Sequence, residues 1–351
     1  MRTLVYGAGP LGSLYAARLQ QAGVEVALLA RGQRLSDLRE HGVVLEDAFS
    51  GQRETHHVPV VEKLEPDDPY DLVIVVMRKD QSLDILPTLA KNQHAHTVLF
   101  LQNNAAGFDD YADTLGADKV MVGFPASGGE RQDPVMRVMP MRRMPIPIGE
   151  IDGSVTERTR AVAALLDRMP DKGVQIRRDM DAWLVTHIPA IMGYFGLFAA
   201  EIDPARYART PDAMLLGVRA RTEALRAQQA AGIPIRPPSF RALPLIPEAV
   251  ALAILRAMAN TAFFEVGIAG HCRVARDEVA HLMTEYRRRI SAGGMATPHM
   301  DAVMNHIEGT TAPLPEGSRE QPVRWTGTVA MAAAVAAPLV GRVVIGRRKR
   351  R

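Results

Sequence analysis

Three glycines near the start of the chain have the spacing of a phosphate cradle. Gly7-Ala8-Gly9-Pro10-Leu11-Gly12 fits G-x-G-x-x-G. Such a loop binds a dinucleotide pyrophosphate. Gly7 allows a tight turn, Gly9 lets backbone approach the phosphates, and Gly12 lets a helix pack on a strand. Ala8, Pro10 and Leu11 complete the loop, and the pyrophosphate would rest on free N–H groups at the start of the next helix. Two guanidiniums follow in Ala30-Arg31-Gly32-Gln33-Arg34. An NAD site usually has Asp or Glu there, accepting from the ribose 2′-OH. No carboxylate is present, and a planar guanidinium suits a 2′-phosphate. The expected cofactor is NADP(H). The plainer alternative is that Arg31 and Arg34 solvate the start of the following helix.

A cradle needs a frame. Arg2 to Tyr6 is a short apolar run, an expected buried strand. A helix-periodic stretch runs to Ala22, Gly23 ends it, and Val24 to Leu29 forms a second strand. Asp71 to Met77, DLVIVVM, is a continuous β-branched run, expected to be a strand buried on both faces. Arg78-Lys79-Asp80 follow it. Thr97 to Leu101 leads into Gln102-Asn103-Asn104, and Lys119 to Gly123 leads into a loop from Phe124 to Gly129. Ligands of open parallel sheets bind outside the carboxyl ends of the strands, so these loops are where chemistry is expected. Strands are also expected between Gly42 and Val61 and between Val135 and Ile151, with a helix from Val155 to Arg168. Met136, Met139, Met141 and Met144 form no ligand pattern and read as hydrophobic lining.

After Arg178 the spacing becomes helical. Trp183 to Glu201, Pro211 to Ala231, Glu248 to Gly270, Arg276 to Ala292 and Pro298 to Ile307 are the expected helices, and Gly232 to Pro247, with five prolines, is a loop. The predicted fold is α/β. An N-terminal Rossmann-type doubly wound sheet (residues 1–178) precedes an all-α domain for substrate and dimerisation (179–312), then a linker with an apolar and basic tail (313–351).

Composition bounds the rest. The 351 residues suffice for two domains, and 47% are hydrophobic. Cys272 is the sole cysteine, which excludes an intrachain disulfide and fits a reducing, cytoplasmic setting. No zinc-type Cys/His cluster occurs, so no metal is expected. The net charge is +3, but six of the 42 basic residues lie in Arg342 to Arg351, against 39 acidic residues in all. The body thus carries no nucleic-acid signal. The first apolar run reads as strand one of the fold and not as a signal peptide. Trp325 to Gly341 is uncharged and rich in Ala and Val, but Pro338 breaks it and it falls short of the ~20 strongly apolar residues of a span. Weak membrane association through residues 325–351 is one expectation, and a packed or loose terminal helix the other.

The sequence resembles the ketopantoate reductase (2-dehydropantoate 2-reductase) family over residues 1 to about 312. The likeness is strongest at Gly7 to Gly12 and at Leu28-Leu29-Ala30-Arg31-Gly32. It implies that Gly7, Gly9 and Gly12 bind the pyrophosphate and that Arg31 takes the 2′-phosphate. Arg78 stands where the family has a cofactor-contacting Lys, with Lys79 adjacent as a substitute. Asn103 matches an Asn touching nicotinamide and substrate, although the family's next Gly is Asn104 here. Gly128 matches a position whose backbone meets the cofactor, and Glu278 a helical Glu near ribose and substrate.

The departures fall in the other half. Trp183-Leu184-Val185-Thr186-His187 puts Val185 where the family's general-acid Lys stands. Its substrate-binding asparagines align with Pro189 and Gly193, and its carboxylate-binding Ser with Val266. Hydride delivery to a carbonyl leaves an oxyanion that needs a proton. The nearest titratable residue is His187, although i+2 on a helix faces away. Each histidine has a plainer reading: His187 in the core, and His281, three residues after Glu278, as half of a helix-surface pair whose alternative reading is an acid site. The candidate catalytic residues are Asn103, Glu278 and His187.

The expected function is NADPH-dependent reduction of a ketone or imine on a small-to-medium substrate other than ketopantoate, less polar because carboxylate-binding residues are lost. One alternative is a non-catalytic NADP(H)-binding sensor or membrane-associated scaffold. Another is a genuine 2-dehydropantoate 2-reductase with a replaced general acid. A homodimer through the helical domain is expected from the fold by analogy.

Overall fold

The computed structural model describes residues 1–139, 144–170 and 173–324. The sheet domain contains β1 (Thr3–Tyr6), α1 (Pro10–Gln21), β2 (Val26–Leu29), α2 (Gly32–His41), β3 (Val43–Asp47), β4 (Arg53–His56), β5 (Val60–Val61) and β6 (Leu72–Val75). It continues through α3 (Lys79–Asp84), α4 (Leu86–Lys91), β7 (Thr97–Leu101), α5 (Asp109–Leu115), β8 (Val120–Gly123), β9 (Gly128–Gln132), β10 (Val135–Met139), β11 (Ile146–Glu150), α6 (Glu157–Leu166) and β12 (Val174–Ile176). Eight of these strands form one sheet in the order β12-β11-β8-β7-β6-β1-β2-β5. All neighbours run parallel except β11 against β8. Alternation sorts the continuous apolar runs. Leu4 and Tyr6 face one layer with Val73 and Val75, while Val5 faces the other with Leu72 and Ile74. Helices α1 and α6 cover one face, and α4, α5 and the start of α7 the other. That arrangement is the doubly wound sheet.

The chain reverses direction across the sheet at β1, which lies between β2 and β6. Such a reversal opens a crevice at the strand ends, and Gly7 to Gly12 sits there.

A second sheet, β4-β3-β10-β9, lies against α1. The loop expected from Phe124 to Gly129 is therefore shorter, since Gly128 and Gly129 already pair with Met139 and Val138. The lining expected of the four methionines holds for Met136 and Met139, which are buried in β10, whereas Met144 is exposed and Met141 lies outside the described residues.

The helical domain comprises α7 (Met180–Met192), α8 (Pro204–Arg209), α9 (Pro211–Ala230), α10 (Glu248–Ala259), α11 (Ala262–Phe264), α12 (Gly270–Val274), α13 (Arg276–Ile290) and α14 (Pro298–Glu308). The helix expected from Glu248 to Gly270 breaks at Asn260, where Thr261 caps a new start, and then widens into a π turn at Glu265–Ala269. Met180–Ala200 is apolar and long enough to cross a membrane by composition alone, but it is 72% buried within the fold.

The segment after α14 is no free linker as far as Arg324. Leu314 N–H donates to the Ala199 carbonyl at 2.9 Å, and Asp212 accepts from the backbone of Glu320 and Gln321. Arg219 donates to the Pro322 carbonyl at 2.7 Å. A polar strand of backbone laid on a helical surface needs such partners, and two buried charged side chains of α9 supply them. Residues 325–351, with the membrane expectation placed on them, lie outside the described residues.

The two domains are joined by a buried charge pair. Lys79 Nζ, on α3, donates to Glu285 Oε1, on α13, at 2.6 Å, and the two side chains are 1% and 7% exposed. Lys79 is therefore not available as the cofactor-contacting substitute for Arg78. Removing one member of a buried pair strands the other. Lys79→Met is expected to cost about 3–5 kcal/mol, and the double variant Lys79→Met, Glu285→Leu to cost less than that single change. Urea denaturation of wild type, Lys79→Met, Glu285→Leu and the double variant makes the comparison. Losses that add would mean that the two groups do not act as a pair.

Candidate active site

The cradle is built as the glycine spacing requires. Gly7 has φ +114°, and a Cβ there would meet the Val76 carbonyl at 2.6 Å. A Cβ on Gly12 would run into the Gly7 carbonyl. Gly9 has open space around it and stands as the N-cap of α1, with no side chain capping the helix. A pyrophosphate fits this open N-terminus, where orphan N–H groups and the helix dipole attract an anion.

The two expected guanidiniums part company. Arg31 is exposed at the N-cap of α2 and makes no ion pair among the described residues. Arg34 is buried. Its Nε donates to the Ala8 carbonyl and its Nη2 to Ser13 Oγ, both at 3.2 Å. Arg34 thus braces the cradle from behind, and burial together with nearby Arg131 pulls its pKa down.

Three loops at the carboxyl ends of β6, β7 and β8 face the start of the helical domain. After β6, Arg78 is the N-cap of α3, with Nε 3.9 Å from Asp80 Oδ1. After β7, Asn104 closes its own loop by accepting from the N–H groups of Ala106 and Gly107 and donating to the Gly107 carbonyl. This leaves the Oδ1 of Asn103 buried without a partner. After β8, Phe124 packs on the His187 ring at 4.3 Å and on Trp183 at 5.4 Å, and the Pro125 carbonyl accepts from Tyr15 Oη at 2.8 Å. Gly128 opens β9, where a Cβ would crowd Met139 and come within 3.3 Å of Gly267, so its lack of a side chain serves packing against the π turn.

The helical domain brings three titratable groups to these loops. Glu278 is 3% exposed. Burial first, and the charge of Asp80 second, push its carboxyl up to about 7 against the pull of Arg78 and Asn103. His271 Nε2 lies 3.5 Å from Glu278 Oε2. Enclosure and Arg78 hold the His271 pKa down. His187 stacks on Trp183 at 5.6 Å, and burial with the nearby charge of His271 pushes it down to about 4. Its ring is neutral at neutral pH, able to give an N–H hydrogen bond but not to serve as a cationic acid. Arg78, Asp80, Asn103, Glu278, His271 and His187 thus form one cluster.

His281 is elsewhere. It bonds Glu285 Oε1 at 3.0 Å, one turn along α13, and not Glu278. The i+4 partner won over the i+3 one because Glu285 is held in place by Lys79. Val185 is fully buried in the helical core, and so is Val266 against Ala48 and Met139. No residue at either position offers a polar group.

Sequence reasoning missed His271, Asp80 and Arg221. His271 is seven residues before Glu278, two turns on one face, but the irregular Ala275 junction hid the relation. Asp80 was legible only as part of a polar loop. Arg221 looked like one arginine among several on α9. Its Nε and Nη2 are buried without partners.

Residues 3–152 match the family described as Ketopantoate reductase PanE/ApbA. A 2-dehydropantoate 2-reductase of Listeria monocytogenes is 27% identical over 175 residues, 49% of this chain and 56% of that protein, so the match spans little more than half the relative's length. Among solved structures, 2-dehydropantoate 2-reductase from Geobacter metallireducens superposes with a TM-score of 0.71 at 19% identity, covering 89% of this chain and all of the other. D-mandelate dehydrogenase, solved with NADH and anilino(oxo)acetate, gives a TM-score of 0.67 at 16% identity over 88% of this chain and 98% of that one. Residues 3–152 thus match the ketopantoate reductase PanE/ApbA family, and the described chain has the fold of the solved ketopantoate reductases.

Proposed function

We propose that the chain is an NADPH-dependent oxidoreductase that reduces the carbonyl, or imine, of a small-to-medium substrate held between its domains. The observation that carries this reading is a concentration of unsatisfied polar atoms. Asn103 Oδ1, Asp80 Oδ1, Ser127 Oγ and Glu278 Oε2 are all buried without a hydrogen bond, and all belong to the strand-end loops or to the helix facing them. Buried polar atoms are nearly always paired, so several orphans in one crevice favour a ligand that pairs them.

When bound, the nicotinamide supplies the hydride. The chain's own residues do the rest. Gly7, Gly9 and Gly12 seat the pyrophosphate, Arg31 takes the 2′-phosphate, and Arg78 adds positive charge beside the cofactor. Asn103 orients the reacting carbonyl. As the carbonyl carbon gains the hydride, its oxygen takes the C=O electron pair and needs a proton. Glu278 holds one near neutral pH, in contact with His271, and stands in for the lysine that Val185 replaces. His187 contributes a neutral N–H. The complete burial of Val185 favours a second reading, a protein that binds NADP(H) without turnover. NADPH oxidation over a panel of ketones and imines beside ketopantoate, with binding followed by fluorescence, separates the two.

Arg31→Ala is expected to weaken NADPH by about tenfold or more while leaving NADH nearly unchanged, as the loss of one charge-assisted pair implies. Equal losses in a fluorescence titration would sink the 2′-phosphate assignment. Glu278→Gln should lower turnover by roughly 10²- to 10⁴-fold and flatten the decline of rate above pH 7.

The same carboxyl carries a stability signature. Folded, it keeps its proton up to about 7, and unfolded it releases it near 4.5. The folded state therefore binds more protons in that window, and stability falls as pH rises through it. Glu278→Gln should raise Tm relative to wild type at pH 8 and lose that advantage at pH 5. Thermal unfolding with equal shifts at both pH values would contradict the raised carboxyl.

A further inference from the structure

Helix α7, with the residues just after it, and the segment from α11 through the π turn to α12 approach each other at two places. At one end His271 lies close enough to His187 for its charge to lower the His187 pKa. At the other, the Tyr194 ring meets Phe264 edge-on at 5.8 Å, and Tyr207 stacks on Phe264 at 5.6 Å. His187 to Tyr194 is seven residues, and so is Phe264 to His271. Two turns of helix rise roughly 10 Å, so the aromatic end lies about that far from the imidazole end.

Arg221 reaches the aromatic end from α9. A Cβ at Gly193 would sit 3.2 Å from its Nη1, and the charges of Tyr194 and Tyr207 act on its pKa. No carboxylate among the described residues pairs with it. Its sealed, unpartnered atoms are Nε and Nη2. These two N–H groups lie on one edge of the guanidinium and match the two oxygens of a carboxylate. A half-buried guanidinium with this edge sealed and unmet is a cost to the fold, and burial lowers its pKa. Gly193, one of the positions where a polar substrate-binding residue was expected and is missing, leaves the space that Arg221 fills.

We propose that Arg221 is the substrate's anion anchor, and that the substrate is a carbonyl compound with a carboxylate near the far end of its chain, about two helical turns from the reacting carbon. This replaces the expectation of a less polar substrate, which counted only the polar residues lost from α7 and the π turn. It rests on the reductase reading given above.

The test uses the full chain with NADP⁺ bound, as wild type, Arg221→Met and Arg221→Lys. The probes are octanoate, octyl phosphate and methyl octanoate, titrated by calorimetry, and straight-chain oxo acids with their methyl esters, followed by NADPH oxidation. Octanoate should bind wild type, bind Arg221→Met at least about tenfold more weakly, and bind Arg221→Lys with intermediate strength, since a lysine keeps the charge and loses the fork. Without probe, Arg221→Met should melt no lower than wild type, because a costly buried charge has gone. Several outcomes would overturn the proposal: unchanged octanoate binding in Arg221→Met, no octanoate binding by wild type, tighter binding of octyl phosphate or of the methyl ester than of octanoate, or a lower Tm for both variants. Oxo acids and esters reduced alike by wild type and Arg221→Met would end the anchor and leave the reductase standing. Octanoate lost with Arg221 but no NADPH oxidation on any probe would keep the anchor and end the reductase.

Discussion

The Lys79–Glu285 pair sets the geometry of the crevice. Lys79 lies between Arg78 and Asp80, so fixing its ammonium fixes both neighbours at the end of β6. Glu285 Oε2 also accepts from the N–H of Ala105 at 3.3 Å, two residues beyond Asn103, which ties the loop after β7 to the same carboxyl. Glu285 follows Glu278 by seven residues on α13, so the two carboxyls share a helix face. One buried carboxyl thus places the strand-end loops against the helix that carries Glu278. The charge of Asp80 that helps keep Glu278 protonated is delivered by this contact. Without its partner, either member of the clamp would be a buried charge left unpaired at the junction of the two halves.

The sequence read well wherever function is local. Gly7, Gly9 and Gly12 carry backbone constraints that belong to single positions, and the βαβ run around them left little freedom. The continuous apolar strands were legible because a strand buried on both faces has no polar alternation. Arg31 and Arg34 show where locality ends. Both are arginines after β2, yet one is exposed and the other braces Ala8, and only the packing of α2 on the cradle decides which.

Long-range pairs escaped for the same reason. The parallel pairing of β3 with β10 joins Val44 to Val135, far apart in the chain, and neither run signals its partner. His281 pairs with Glu285, not Glu278, because Lys79, some two hundred residues away, had already fixed Glu285. The π turn at Glu265–Ala269 carries no compositional mark that separates it from an α-helix, but its extra residue sets how His271 meets His187 and Glu278.

Unsatisfied polarity gives the site its logic. A fold selected for stability alone would pair Asn103, Glu278 and Arg221, or replace them with apolar side chains as it has done at Val185 and Val266. The chain does both. It fills the positions on α7 and the π turn with Val, Pro and Gly, and leaves other polar groups buried and open on α9, α13 and the loop after β7. Polar capacity has been moved, not lost. The kept orphans fall in two groups, Asn103 and Glu278 beside the strand-end loops and Arg221 beside Gly193 at the end of α7. On the proposed reading, a ligand that satisfies both groups is reducible at one end and anionic at the other.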